Sequence, residues 1–433
     1  MKHSLVKAYF LVSLVFISYF WGIITTEFQI FPYPFFNDAY KAYSELRKAK
    51  KNEEINPFIF DAIRKGKSVT IYEPDHSFPG NTFMTLLRSK RFEAVLVSPE
   101  GSEIHKWGIN YSDVWPNAPH LEYQAPDHRI SIHGALLDPN GDVIFNFDDG
   151  NFPTGGGLVK IDRCSKLLSR FSENTHHSIF RDDDGYLWVP SHVLHRNDDY
   201  GFQFIKPPFR EDYILKLGAD GKVVERISVL DTLYKSDLEG LLRFRNRWVI
   251  EKQHDPLHLN NIDVLPAKWA KRFSLFGAGD IMISMRNINT IAVLDASTKL
   301  IKWWMSGEFS NQHDPDFLPN GHILLFDNRW HRRKAGGSRI IEVDPISRRI
   351  VWEYSGNDDH PFYTEIRGMQ QPLQNSNILV TESEGGRVFE IKRDGKIVWE
   401  YINAFEEIGK VGLVTQAERV PVGFEKFLGK RCP

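Results

Sequence analysis

The chain has 433 residues, 42% of them apolar and 25% charged, close to ordinary globular usage, with an aromatic excess of 11 Trp and 31 Phe. A formal net charge of −2 excludes the strong basic excess of a general nucleic-acid binder. Two cysteines, Cys164 and Cys432, exclude a disulfide framework; whether they pair depends on their separation in the fold, which the sequence leaves open.

At the amino end Lys2, His3 and Lys7 precede an apolar run from Ala8 to Thr25. That run just spans a hydrocarbon core of ~30 Å as a helix. The positive flank in front of it predicts a cytoplasmic amino end, with the body on the far, extracytoplasmic side. The next residues, Thr26 to Gln29, offer no small-x-small cleavage site, which favours an uncleaved signal-anchor over a signal peptide. Residues 1–26 are thus expected as tip and transmembrane anchor, and 27–80 as a stalk or packing segment. Within the latter, the charged stretch from Asp38 to Lys51 is expected to be helical.

From about residue 81 onward one unit recurs: an apolar strand, a short turn rich in Asp and Gly, and a second strand that often ends in Trp. Its six copies run from Val95 to Trp107, Leu158 to Phe171, Ile214 to Ile227, Ile291 to Trp304, Ile340 to Tyr354 and Val388 to Tyr401. Alternating apolar residues around such turns read as β-hairpins. A second unit precedes most of them: a histidine, a few residues, an Asn/Asp-Gly turn and a strand. It begins at His133, His177 and His313 with the same interval to the glycine, and at His258 with an insertion before Gly279. In the last copy Gly368 takes the histidine's place. Two hairpins per repeat make a four-stranded sheet, and six sheets around an axis make a six-bladed all-β propeller over 81–433. The first strand of each blade lines the central channel, so equivalent histidines from four blades should converge at one mouth. A lone histidine in such a place usually only satisfies a turn; four in one repeat slot argue for a site. The connection from Thr232 to Trp248 has no clear pattern, and the tail from Phe405 to Pro433 is expected either to be helical or to close the ring.

Several pieces of this chain resemble the arylsulfotransferase family. They are Asp255 to Ile262, Ile283 to Asn289, Gln312 to Leu318, Phe326 to Asn328, Val351 to Tyr354 and Val380 to Glu390. The resemblance extends over roughly Phe92 to Tyr401. It implies a six-bladed propeller that moves a sulfuryl group from an aryl sulfate to a phenol, without a nucleotide donor or a cofactor, through a transiently sulfated histidine. Carried over residue by residue, His313 matches the nucleophile, His258 and Arg286 match sulfate-binding and leaving-group partners, and His177 matches a further pocket histidine beside His176. His133 has no counterpart in the family pattern and is expected, with Asn328, to contact substrate.

These residue types suit the chemistry. Sulfuryl transfer resembles phosphoryl transfer, where catalysis is mostly positioning and charge stabilisation. A neutral imidazole is a competent nucleophile near pH 7, and the charge of Arg286 would keep His313 unprotonated. Arg286 can grip two sulfate oxygens with its planar fork, and His258 can exchange a proton with the phenols. His254 rivals His258, because Gln253-His-Asp-Pro256 repeats Gln312-His-Asp-Pro315. Asn328 also suits a turn, Asp314 reads as structural, and the basic loop from Trp330 to Lys334 reads as solvated or as a lure for anions. Two other classes compete: a histidine-ringed metal site, and a membrane-anchored propeller that binds without catalysis. No dinucleotide fingerprint, phosphate-binding Gly-Lys-Ser/Thr loop or Gly-x-Ser-x-Gly elbow occurs.

Overall fold

A computed structural model describes the chain except residues 1, 29, 34, 37–38, 41–55, 90, 122–123, 150–153, 198–200, 203, 245–253, 330–336, 430–431 and 433. The helix expected over Asp38 to Lys51 lies almost wholly outside the described residues, as do the loop from Trp330 to Lys334 and the end of the Thr232 to Trp248 connection. Two compact units result, Met1–Pro57 and Phe58–Pro433. In the first, Lys2–Glu27 is a helix whose stretch Leu5–Glu27, of mean hydropathy 1.9, is long and apolar enough to cross a membrane. Apolar residues occupy every face of it, the pattern of a span rather than of an amphipathic surface helix.

The second unit is a six-bladed β-propeller of antiparallel sheets. From channel to rim, blade two is Ile130–Leu137, Val143–Asp149, Thr154–Ile161 and Leu167–Phe171. Blades three to six start on the channel with Phe180–Arg181, Leu259–Val264, His313–Phe317 and Met369–Pro372. All six predicted hairpins are the third and fourth strands of a blade. Their turns form because Asp carboxylates accept backbone N–H groups, as Asp394 does from Lys396 at 3.0 Å, and because Gly221 and Gly395 take the positive φ the turns require.

The recurrent tryptophan has a structural purpose. From the fourth strands of blades four, five and six, the indole N–H groups of Trp303, Trp352 and Trp399 donate to the carbonyls of Pro345, Arg393 and Pro99. Each acceptor lies in the outer hairpin turn of the next blade. The ring pattern thus latches neighbouring sheets with a hydrogen bond while burying an aromatic face.

The ring closes from both ends. The tail strand Val414–Arg419 pairs with Thr82–Arg88 and becomes the channel strand of blade one, so the closing role holds for this tail. The segment expected only to pack is built into the unit as well. Ser68–Tyr72 adds a fifth strand to blade six, beside Ile397–Ile402, and Ile59–Asp61 pairs with Lys410–Gly412. The compact unit therefore starts at Phe58 rather than at 81, and that segment both adds a strand to the last blade and packs on the first, where the rings of Phe58 and Phe92 lie 5.0 Å apart. A disulfide between Cys164 and Cys432, with Cα atoms 5.5 Å apart, ties the tail to blade two.

Candidate active site

Each channel strand ends where a backbone N–H donates to the neighbouring strand: Val420 to Asn81, Asp138 to Asp142, Asp182 to Tyr186, Leu265 to Asp280, Leu318 to His322 and Leu373 to Asn377. Counting back five residues from each donor gives Thr415, His133, His177, Asn260, His313 and Gly368. All six line one central cavity of about 350 Å³. The equal spacing of His133, His177 and His313 therefore does bring three imidazoles to one level of the channel.

Blade four deviates. Its matching residue is Asn260, and His258 sits two residues earlier. A bulge between Leu259 and Asn261 and a left-handed backbone at His258 (φ 57°) accompany that shift. The imidazole still joins the group: ring centroids lie 4.3 Å apart for His133 and His177, and 4.8 Å for His177 and His258. His258 and Arg286 do not line the central cavity itself. His254 is exposed, so between the two Gln-His-Asp-Pro copies it is His258 that enters the buried cluster.

Each imidazole is held in a defined state. His313 Nδ1 lies 2.9 Å from the Asn311 carbonyl and 2.8 Å from Asn328 Oδ1, both acceptors, so Nδ1 carries the proton and Nε2 keeps a lone pair. Asn328 is wholly buried and donates onward to the carbonyls of Thr364 and Arg367, so it grips His313 rather than the cavity. His258 Nδ1 lies 2.5 Å from Asp255 Oδ2, and its Nε2 accepts from Arg286 at 3.1 Å. His133 Nδ1 lies 3.2 Å from Asp148 Oδ2, and His177 Nδ1 lies 2.8 Å from His176 Nδ1.

Burial drives all four away from the charged form. It lowers His313 well below the ordinary histidine range, helped by the Arg286 charge. It does the same to His177, helped by His133 and His258, and it lowers His258, helped by Arg286. Burial with Arg367 brings His133 to about 4. The cluster is a set of neutral imidazoles at pH 7.

Two guanidinium groups flank it. Arg286 starts a short helical turn after the strand Ile281–Met285, and its backbone N–H donates to the His258 carbonyl. Arg367 donates to Ser131 Oγ at 3.1 Å and to Asp148 Oδ2 at 3.4 Å. Arg286 Nε and Arg367 Nη1 are buried without a hydrogen-bond partner. A buried donor left unpaired costs roughly 1–3 kcal/mol, so such N–H groups suit a ligand rich in acceptor oxygens. Among the described residues no group of three or more His, Cys, Asp or Glu is placed to hold a metal ion.

The family model described as arylsulfotransferase (ASST) matches residues 134–404, well over half of the sequence. The chain belongs to the arylsulfotransferase family. The match takes in His177, His258, Arg286, His313 and Asn328, and begins one residue after His133. No curated protein matches this arylsulfotransferase-family chain. Among solved structures, a protein of unknown function from Bacteroides caccae is 13% identical, with a TM-score of 0.50 over 78% of this chain and 98% of that one. A virginiamycin B lyase from Staphylococcus aureus is 12% identical, with a TM-score of 0.36 over 63% and 70%. The WD40 propeller domain of Doa1 is 11% identical, with a TM-score of 0.40 over 80% and 87%.

Sequence reasoning missed several members of this site. Arg367 escaped because the repeat count lands on Gly368, one residue later. Asp255 and Asp148 escaped because their roles rest on side-chain contacts that the repeat does not display, although Asp255 stands only three residues before His258.

Proposed function

We propose that this family member transfers a sulfuryl group from an aryl sulfate to a phenol through a sulfohistidine at His313. One observation carries the reading: a buried neutral imidazole, its Nδ1–H fixed by two acceptors and its Nε2 lone pair free, beside guanidinium N–H groups that lack partners. In the first half-reaction Nε2 of His313 forms a bond to sulfur while the bond from sulfur to the aryl oxygen breaks. The electron pair leaves on the phenolate. The ring becomes cationic, and Asn311 O and Asn328 Oδ1 stabilise its retained Nδ1–H. Arg286 turns from His258 Nε2 to the sulfuryl oxygens, which frees that nitrogen. In the second half-reaction the incoming phenol gives its proton to His258, with Asp255 balancing the imidazolium. The phenol oxygen bonds to sulfur, the N–S bond breaks, and neutral His313 returns. The proton on His258 passes to the departed phenolate through solvent. His177 and His133 extend the neutral wall, His133 and Arg367 facing the substrate.

The apolar amino-terminal helix, the lysines before it and the disulfide support a single-pass anchor with the propeller in an oxidising, extracytoplasmic compartment. The catalytic reading is tested with full-length protein and p-nitrophenyl sulfate. Burst release of one equivalent of p-nitrophenolate is expected, with a gain of one SO3 on the peptide containing His313. Neither should occur in His313→Ala, with a loss of at least about 10³-fold in turnover. Equal phenol release by wild type and His313→Ala would end the proposal.

A further inference from the structure

A second ring lies deeper in the same cavity. Counting back two residues from each channel-strand donor gives Leu136, Phe180, Asp263, Asp316, Gln371 and Glu418, and all six line the cavity. The extra residue of the strand bulges lets both rings face the channel although their spacing is odd. Three strand residues separate the rings, roughly 10 Å.

The chemistry of this ring is opposite to that of the first. Asp263, Asp316 and Glu418 are carboxyls from three blades. Among the described residues Arg367 is the only Arg or Lys lining the cavity, and it is engaged with Asp148 at the histidine end. The hydrogen bonds to these carboxyls come from backbone and amide groups, Asp263 accepting from Phe317 N at 2.9 Å and Asp316 from Gln370 Nε2 at 3.1 Å, and Asp314, which also lines the cavity, stands close to both as a further carboxyl. An independent feature points to a ligand. Gln370, whose side-chain amide donates to Asp316, has its Oε1 without a partner although the residue is only 5% exposed and lines the cavity. The unpaired atom at the acidic end is an acceptor, whereas the cavity's unpaired donor, Arg367 Nη1, lies at the histidine end. Phe180 and Trp269 add aromatic walls.

We propose that the acceptor is a phenolic arylalkylamine, a phenol carrying an ammonium group on a short alkyl arm, which lies along the channel with its hydroxyl at His313 and its ammonium among Asp263, Asp316 and Glu418. An ammonium offers three donors and a charge to a site that has only acceptors, and aromatic faces favour a neighbouring cation. Phenol ring and short alkyl arm together span the distance between the rings. A bare divalent cation fits less well, since the described acids form no metal-holding group. The identity of the acceptor rests on the sulfuryl-transfer reading; the cation site does not.

The test uses full-length protein in detergent and two probes of similar shape, tyramine and 4-ethylphenol. Calorimetric titration should show tyramine binding at least about tenfold tighter, a ratio worth about 1.4 kcal/mol. That ratio should fall towards one in Glu418→Gln and in Asp316→Asn. Decay of sulfated His313, loaded from p-nitrophenyl sulfate, should be accelerated more by tyramine than by 4-ethylphenol. Equal binding of the two probes by wild type overturns the inference, whatever the enzyme does. So does a calcium ion that binds alone and excludes tyramine. If tyramine selectivity is present and carboxyl-dependent but His313 is never sulfated, the cation site stands and the transfer reading falls. If His313 is sulfated but discharges equally to both probes, the reverse holds.

Discussion

The two ends of one channel both bury titratable groups and treat them differently. At the histidine end burial pushes imidazoles down, His133 to about 4. At the acidic end burial pushes carboxyls up, Asp263 and Glu418 each to about 7. Both ends resist charge for the same reason, the loss of hydration. What separates them is the surrounding hydrogen bonding. Asn328, Asp255 and Asp148 each fix one nitrogen of an imidazole, so the neutral form there is oriented and reactive. Among the described residues the carboxyls have no opposing cation, and they are left to be neutralised by a proton or by a ligand. Burial sets the charge state; the second layer of side chains decides whether that state can do chemistry.

The largest test of this contrast is Arg286→Ala. If the histidine end works through preorganised donors, the loss in kcat/KM for p-nitrophenyl sulfate should be on the order of 10²–10³. Arg286→Lys should recover little of it, since the lysine keeps the charge but not the fork. A loss below tenfold would mean that the guanidinium is structural.

A smaller effect is expected at Asn328, where the readout is the pH–rate profile. Its hydrogen bond raises the His313 pKa against burial. The acid limb of kcat/KM, which marks protonation of His313, is therefore expected well below pH 6.5 in wild type. Asn328→Asp should move that limb up, because a carboxylate favours the imidazolium, and Asn328→Ala should move it further down. About tenfold loss at pH 7 is expected for each. Unmoved limbs would show that Asn328 does not hold His313.

The smallest effect belongs to the acidic end and is read as stability. Glu418 has a folded pKa of about 7, above its ordinary 4.5, so the folded state holds a proton that the unfolded chain releases. Wild type therefore loses stability from this group as pH rises from about 4.5 to 7. Glu418→Gln should match wild type at pH 4.5 and exceed it above pH 7. The gain should be on the order of 1 kcal/mol, discounted because the side chain is half-buried. Chemical denaturation at the two pH values measures it; a variant less stable at pH 8 than wild type would show that the carboxylate has a hidden partner.

Some of this molecule was written in one dimension. Six hairpins followed from period-two alternation and Asp-Gly turns, because both are local consequences of backbone geometry. The convergence of His133, His177 and His313 followed from equal counts to the same turn, because a repeat copies position as well as sequence. The apolar amino-terminal helix followed from length and composition.

The rest required the chain to meet itself. Ser68–Tyr72 is five residues long, and its partner strand lies more than 300 residues away, so no local pattern could assign it to blade six. The pairing of Cys164 with Cys432 crosses 268 residues and depended only on where the tail docks. Arg367, one residue before the counted slot, entered the site because its backbone takes φ 63°, a conformation that sequence does not announce for arginine. The ring of Asp263, Asp316 and Glu418 is likewise invisible in order along the chain. Sequence determines which residues face a channel strand by strand; only closure of six sheets around one axis decides which of those residues share a cavity, and thus which charges must answer one another.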